Sequence, residues 1–588
     1  MATILRELQR RNVIRAVILY ATGAWALAQG IVALGPSLGF PEGATRWFLV
    51  AAAIGFPFWI AFAWFYELTP QGIRRESEVD ADKSILKATG RRLDFLIIAV
   101  LAFAVVLLLT DRLLRQETAI TSPPVIAGKS VAVVPLVNES GDANALYFSD
   151  GLTEAFIDAL SRFPGLKVIA RASSFQFRNS KEPVAIIGRK LGVAHLLEGS
   201  VQRAGDDVRI SAELIAVRDG TAIWSEHYDR PYKDLFKLQD DITSAVAASL
   251  KAKLLGGDNN LPRPQSDRPP SGNLDAYNAY LEGSFYAHRQ TLEDQRKAVT
   301  AFNTAVKLDP DYAAAWAGLS TAELNVALNS GSSAALAQVL PQVREHAKKA
   351  VALAPDLALA HNSLGNVLNY ESNWSGAEAQ FRRAAQLAPA LVGAKANLAN
   401  MVATLGRPEE AVGLLQQALK LDPLRSNVYL NLANYLMPLG RLDEAETAIR
   451  NAIALLPDGT DFYETQSEID ILRGNARAAL ADAQREPPGL YHDVAVTLAL
   501  QIGTDRPAAD AALKFLIKKY SDDAPYQIAE AYGLRKDVDN MFKWLEHARV
   551  AQDPGLQNLL TDSFILPYRH DSRFAKLCGE LKLPVPKN

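Results

Sequence analysis

Hydrophobic positions follow three different patterns along the chain, one after another. The first is near-continuous apolarity: Val13–Leu34, Trp47–Tyr66 and Phe95–Leu109 carry almost no charge. The first two have the roughly 20 residues needed to cross a hydrocarbon core of about 30 Å, and the third reaches that length with Leu93, Asp94 and Thr110. Three membrane helices are expected at about 13–34, 46–66 and 93–112, with Trp47, Phe48, Trp64 and Tyr66 at the interfaces.

The second pattern, over residues 129–254, switches between periods. Val131–Val137 is an unbroken apolar run, as a strand covered on both faces requires. Leu152, Phe156 and Leu160 then fall four apart, predicting a helix from near Asp150. Leu166–Ala170 predicts a strand, and Val184–Leu191 a helix stopped by Gly192. Ala194–Gln202, Val208–Val217 and Ala222–Tyr228 predict three strands joined at Gly205-Asp206 and Asp219-Gly220. Ile242, Val246 and Leu250 mark a last helix. The order βαβαβββα makes a small α/β sandwich with a mixed sheet.

The third pattern, over 274–588, has a period of 34. Pro355, Pro389, Pro423 and Pro457 are each 34 residues apart, and other columns keep step with them. Ala377, Ala411 and Ala445 form one, and Ala384, Ala418 and Ala452 a second. Phe381, Leu415 and Ile449 form a third, and Leu364, Leu398 and Leu432 a fourth. Alanines let two antiparallel helices approach and the large residues fill the space between them, with each proline expected to start the following helix. The units are regular over 358–457. The step from Pro310 to Pro355 is 45, and the eleven extra residues are expected between two helices, at Ala327–Leu340. Beyond about 460 the period fades. Helices continue there, with Gly474 and Gly533 expected to break pairs, up to a capping tail around Phe564–Leu583. The fold class is multidomain: α-helical membrane segments, an α/β sandwich and an all-α repeat solenoid. Proline-bearing linkers at 116–128 and 255–273 separate the three.

Composition narrows the function. Net charge is −3 and the pI about 6.3, so no basic excess points to nucleic acid. One cysteine, Cys578, excludes an intrachain disulfide framework and a multi-cysteine metal site. Basic residues cluster at Arg6, Arg10, Arg11 and Arg15 and again at Arg74, Arg75, Lys83, Lys87, Arg91 and Arg92, while the short loop between the first two spans holds only Arg46. This places the amino end and the long loop in the cytoplasm and everything past residue 115 outside, against the smaller weight of Arg112 and Arg115. Ala26-Leu27-Ala28 offers a signal-peptidase site, with no consequence for that topology.

Candidate chemistry is sparse. Gly128-Lys129-Ser130 has the tail of a phosphate loop, but Pro123 stands where glycine is needed and a strand follows. Glu226, His227 and Asp229 are near neighbours on a strand and point to alternate faces, so they do not converge simply. Asp150 and Glu154 suit the positive end of their helix, and His195 reads as a satisfied core histidine. No catalytic residue, cofactor site or metal site is expected. One column is not explained by packing: Asn366, Asn400 and Asn434, each three residues after Ser363, Asn397 or Asn431, with Asn362 beside them. Spacing of three puts both members on one helix face, and an amide both donates to and accepts from a peptide backbone. These six asparagines are the candidate partner-binding groove; the alternative is that they hydrate a helix surface or bond between repeats.

The 34-residue columns resemble the tetratricopeptide family, in which such positions face a concave groove. Asn397-Leu-Ala-Asn400 and Asn431-Leu-Ala-Asn434 are similar to the amide ladders of its superhelical members. Residues 129–254 resemble the TolB amino-terminal-like domain, also found in periplasmic parts of CadC-type regulators. The likeness lies in Ser130-Val-Ala-Val-Val-Pro-Leu136, Tyr147-Phe-Ser-Asp-Gly-Leu-Thr-Glu154, Ile187-Gly-Arg-Lys-Leu-Gly192, Leu197-Glu-Gly-Ser-Val201 and Trp224-Ser-Glu-His-Tyr228. The start at Glu7–Val13 with Tyr66–Pro70 resembles a membrane module ahead of bacterial repeat proteins. These resemblances imply a non-enzymatic scaffold of the bacterial inner membrane, multi-pass, with soluble domains in the periplasm and a protein or peptide in the groove. The alternative is a sensory component that works through a separate cytoplasmic effector, since a short amino end and a 26-residue loop leave no room for one in this chain.

Overall fold

The computed structural model describes residues 128–586, except 143–144, 164, 255–266, 290 and 331–332, and ahead of them parts of 17–59 together with 66–69 and 72–75. The chain divides into two compact units, Met1–Val125 and Ile126–Asn588. In the first, residues 20–25 and 50–53 are helical. The Tyr20 hydroxyl donates to Ala52 O at 2.7 Å, and its ring lies 5.6 Å from that of Phe56. The first two apolar stretches therefore pack on one another. Strands β1 (Tyr66–Thr69) and β2 (Gly72–Arg75) form an antiparallel hairpin. Tyr66, expected to close the second span, instead opens this hairpin: Tyr66 and Leu68 alternate with Glu67 and Thr69, which is the period of a strand. Among the described residues no helix is long and apolar enough to cross a membrane, and the third apolar stretch, 93–112, lies outside them.

In the second unit the run expected as one strand at Val131–Val137 is two, β3 (Ser130–Val133) and β4 (Val137–Asn138), both parallel to β6 (His195–Ala204). Pro135 between them has no N–H to offer the ladder. Strand β5 (Lys167–Val168) flanks β3 in parallel, while β7 (Asp207–Ala216) and β8 (Ala222–Pro231) extend the sheet antiparallel, in the order β5-β3-β6-β7-β8. Helix α1 (Leu146–Ser161) places Phe148, Leu152, Phe156 and Leu160 against Val131, Val133, Leu197 and Ile210. Helix α3 (Val184–Leu191), with Ile169 and Phe177 on either side of the turn α2 (Arg171–Ser174), covers Ala132, Val134 and Leu196 on the other face. Odd and even residues of β3 thus enter different cores, so its apolar run is continuous. Helix α4 (Leu235–Leu254) completes the first face with Leu238, Ile242 and Val246.

The repeats are antiparallel helix pairs: α5 (Leu274–Ala287) with α6 (Leu292–Leu308), α7 (Ala313–Asn329) with α8 (Ser333–Leu353), and α9 (Ala358–Tyr370) with α10 (Trp374–Leu387). Next come α11 (Val392–Thr404) with α12 (Pro408–Leu421), and α13 (Ser426–Leu436) with α14 (Leu442–Leu455). The fading part holds α15 (Phe462–Leu472) with α16 (Ala476–Ala483), α17 (Leu490–Gln501) with α18 (Arg506–Tyr520), and α19 (Pro525–Leu534) with α20 (Val538–Ala551), then α21 (Ser572–Glu580). All six column alanines are fully buried, together with Leu415 and Ile449.

The periodic prolines do not start helices. They stop them, because the residue before a proline is driven out of the α region. Asp309, Ala388, Asp422 and Leu456 have φ of −141°, −131°, −137° and −144°. The eleven extra residues before Pro355 are not a loop either. Helix α7 has 17 residues where α9 has 13, and α8 has 21 where α10 has 14, so lengthening both helices absorbs them. Gly474, with φ of +74°, ends α15 as expected. Gly533 does not break its helix; the turn comes at Lys536, with φ of +61°. A Cβ at 533 would lie 2.9 Å from Phe564 O, so the glycine admits the tail.

Two long-range contacts tie this unit together. The tail returns to the middle of the array, where Trp374 Nε1 donates to Leu581 O at 2.8 Å and Leu560 lies against Gly406. The α/β domain is docked rather than tethered. Tyr277, Phe302, Tyr312 and Leu319 share its core, and Asp422 at the end of α12 accepts from Ser173 N at 2.9 Å and Ser173 Oγ at 2.5 Å. The carboxylate thereby caps α2 from outside, while Ala170 N donates to Leu421 O.

Candidate functional site: an amide ladder across the repeats

The asparagines form a ladder that crosses from repeat to repeat. All but Asn362, which lies seven residues after Pro355, occupy two positions on the first helix of a unit, eight and eleven residues after its proline. The eighth residue of one unit bonds to the eleventh of the unit before. Asn397 Nδ2 donates to Asn366 Oδ1 at 3.1 Å, and also to Asn362 Oδ1 at 3.1 Å. Asn431 Nδ2 donates to Asn400 Oδ1 at 3.1 Å, and Thr465 Oγ1 to Asn434 Oδ1 at 3.2 Å. Ahead of them the hydroxyls of Thr321 and Ser363 make a rung at 3.3 Å. Tyr435 adds a donor to Asn400 Oδ1 at 3.0 Å. Bonding between repeats is therefore part of what this column does.

The rungs also fix which way each amide faces. The Nδ2 of Asn362, Asn366, Asn400 and Asn434 and the Oδ1 of Asn397 and Asn431 have no protein partner among the described residues, and all six side chains are half-buried. A donor at one position beside an acceptor at the other matches the C=O and N–H of an extended chain. The spacing revealed the columns, but not that their amides are oriented.

A second column escaped the sequence reading. Six residues after four of the turns a polar side chain reaches back to the turn's carbonyl. Trp316 Nε1 lies 2.9 Å from Pro310 O, His361 Nε2 2.8 Å from Pro355 O and Lys395 Nζ 2.6 Å from Pro389 O. His492 Nδ1 meets Glu486 O in the same way at 3.0 Å. The role is constant while the residue type is not, so no column of identities appears. Burial lowers the pKa of Lys395, whose side chain has that carbonyl as its one hydrogen-bond partner among the described residues.

The α/β candidates resolve differently. Asp150 lies inside α1, not at its start, and pairs with Arg178 at 2.6 Å. Burial nonetheless raises its carboxyl pKa. Glu154 reaches Arg171 at 3.5 Å and His288 at 3.6 Å. Both acids join α1 to neighbouring segments instead of capping it. His195 is buried with Nδ1 3.1 Å from Ser130 O, as expected of a core histidine. His227 meets Ser211 Oγ, Glu226 accepts from Tyr228 and Asp229 pairs with Arg209, so the three do not converge. Among the described residues no group of three His, Cys, Asp or Glu side chains could hold a metal ion.

Residues 402–469 match the tetratricopeptide repeat family model, so the chain carries these repeats. A stretch of 215 residues is 35% identical to a protein called putative adenylate cyclase 3 of Rhizobium meliloti (strain 1021). It covers 36% of this chain and 36% of that protein, so the match spans about a third of the length of this curated relative. Similar solved structures include YrrB, described as a TPR protein with an unusual peptide-binding site, at 20% identity and a TM-score of 0.27 over 37% of this chain and 99% of that one. A tetratricopeptide repeat protein of Parabacteroides merdae is 13% identical, with a TM-score of 0.33 over 46% of this chain and 99% of that one.

Proposed function

We propose that the repeat array binds an extended segment of a partner protein along the amide ladder, and that the chain is anchored in a bacterial inner membrane with this array on the periplasmic side. The observation that carries the reading is the regular series of uncommitted Nδ2 donors and Oδ1 acceptors on successive repeats. Such a series recognises backbone and leaves sequence unread. The apolar stretches and the basic loops support the anchoring.

Replacing Asn366, Asn400 and Asn434 by Asp keeps each inward acceptor and removes each outward donor. Partner capture through a photo-crosslinker placed at Asn362 in intact cells is expected to fall at least tenfold, with helicity unchanged. Undiminished capture would return the ladder to a purely structural role. Alkaline phosphatase fused after Gly128 is expected to be active, and an inactive fusion would overturn the orientation.

The stretch shared with a protein called a putative adenylate cyclase favours one second reading, in which these modules sense a ligand and signal through a separate effector. In that case a cytoplasmic protein, and not a periplasmic one, is recovered by crosslinking from the 67–92 loop.

A further inference from the structure

The sheet of the α/β domain ends differently at its two edges. Strand β5, at one edge, is two residues long, and the chain after it is closed off where Ala170 N donates to Leu421 O at 2.8 Å. Strand β8, at the other, runs for ten residues from Ala222 to Pro231 and pairs only with β7 among the described residues. A long edge strand presents a row of unmet backbone groups, which natural sheets blunt with bulges, prolines, charges or covering segments. Here a register shift at Leu214/Ile215 marks one end of β8 and Pro231 the other. Between them lie Glu226, His227, Asp229 and Arg230, all exposed and of both signs.

The ladder fixes which backbone groups face outward. Tyr232 N donates to Asp206 O at 2.6 Å, and these two stand opposite in the register that sets Asp207 against Pro231. Antiparallel partners alternate between bonded and unbonded pairs, so Glu226, Tyr228 and Arg230 exchange their bonds with β7. Ser225, His227 and Asp229 therefore turn their N–H and C=O away from it. Pro231 fits this phase, because its missing donor falls on the outer side. Among the described residues the outward groups meet one partner, Arg230 Nη1, which reaches Asp229 O at 3.1 Å. Arg230 itself pairs with no carboxylate among the described residues, whereas Asp229 pairs with Arg209 at 2.7 Å.

The side chains on this edge complement themselves. A two-fold axis at Tyr228 runs two copies of β8 antiparallel, with Glu226 opposite the second copy's Arg230 and His227 opposite its Asp229. Odd residues then face odd ones, so the outward groups of His227 and Asp229 meet as bonded pairs and Ser225 N–H meets Pro231 O. Centring the axis on Glu226 or on Asp229 sets like charges face to face. Centring it on His227 sets Glu226 against Tyr228 and Arg230 against Trp224, with no ion pair between the copies.

We infer that β8 is the interface at which two copies of this chain join their sheets edge to edge about a two-fold axis at Tyr228. Backbone bonds supply the association. The Glu226–Arg230 pairs set its register, because exposed ion pairs add little affinity while like charges opposite one another exclude the other alignments. Arg230 leaves Asp229 O for the second copy's Glu226, and the second copy's His227 N–H takes that carbonyl. The contact uses the same patch on both copies, so it closes at two and does not propagate. It stands apart from the groove and from whatever binds there.

The test reads disulfide formation in the full-length protein in mild detergent. Across an unbonded antiparallel pair the Cβ atoms lie about 4.5–5.5 Å apart, close to what a disulfide spans. In this register Tyr228 alone on β8 faces its own copy. Tyr228→Cys is expected to give a covalent dimer on mild oxidation, whereas Glu226→Cys and Arg230→Cys give none singly and a dimer when mixed. The native Cys578 is buried, and the unmodified protein serves as its control. Adding Glu226→Arg to Tyr228→Cys is expected to lower the cross-linked fraction at least tenfold, and adding Arg230→Glu as well to restore it. A neighbouring arginine makes a thiol more reactive, so such a fall reports the loss of pairing. Thermal melts matching the unmodified protein show that each variant is folded. In the unmodified protein the amides of Ser225, His227 and Asp229 are expected to resist hydrogen exchange. No dimer from Tyr228→Cys, a dimer from Glu226→Cys or Arg230→Cys alone, or a yield indifferent to the charges overturns the inference. So does rapid exchange of the three amides at every protein concentration, or their protection only when a different protein is added, which assigns the edge to another chain.

Discussion

A single buried side chain has very different consequences in this chain according to whether its partner is apolar, a carbonyl or nothing. Leu415 fills the space between α11 and α12 and is fully buried. Leu415→Ala is expected to lower unfolding free energy by about 2–5 kcal/mol, read from chemical denaturation. Lys395 buries a cation to satisfy one carbonyl. Lys395→Met leaves Pro389 O unpaired, with an expected loss of about 1–3 kcal/mol in the same measurement. The importance of Leu415 was legible in the sequence because packing selects one residue type at each repeat. That of Lys395 was not, because Trp, His and Lys all serve as the donor.

Elements follow the same division. Helix pairs over 358–457 were legible from their period, since four columns in step leave one way to stack them. The roles assigned to the prolines and to the eleven-residue insertion failed for a common reason. A period tells how far apart equivalent positions are, not which side of a turn a proline serves or whether added residues are helical. The tail shows the limit more plainly. Trp374→Phe removes the donor to Leu581 O across 207 residues. Amide exchange within 572–580 is expected to quicken while 408–455 is unchanged, and equal effects in both would show that the contact does not hold the tail.

At the scale of the whole second unit, docking and charge decide behaviour. Asp422→Ala removes the acceptor for Ser173 N and Oγ. The α/β domain and the array, which share one core, are then expected to separate into two calorimetric transitions in place of one. Buried carboxyls at the start of α15 (Asp461, Glu464 and Glu468) and on α19 (Glu530), raised in pKa by burial, set a pH dependence. Carboxyls with pKa raised in the folded state bind more protons there than when unfolded, so stability falls as pH rises. The window opens near the unfolded value of about 4. For Asp461 it closes near 7, while Glu464 and Glu468 extend it upward. Melting temperature is expected to decline from pH 4 to 7, and a double variant, Glu464→Gln with Glu530→Gln, to flatten that decline. A steady rise would show that the group is not protonated in the native state.

By itself the sequence determined the repeat period, the alternation of strands and helices along the α/β domain and the asparagine columns, because each follows from spacing along a helix or strand. Only the tertiary structure decided that the amides bond across repeats, that Asp422 caps a helical turn 249 residues away and that Trp374 holds the tail from 207 residues away. Local periodicity is written in neighbouring residues. Contacts between elements hundreds of residues apart depend on how small rotations accumulate from repeat to repeat, and no spacing along the chain records their sum.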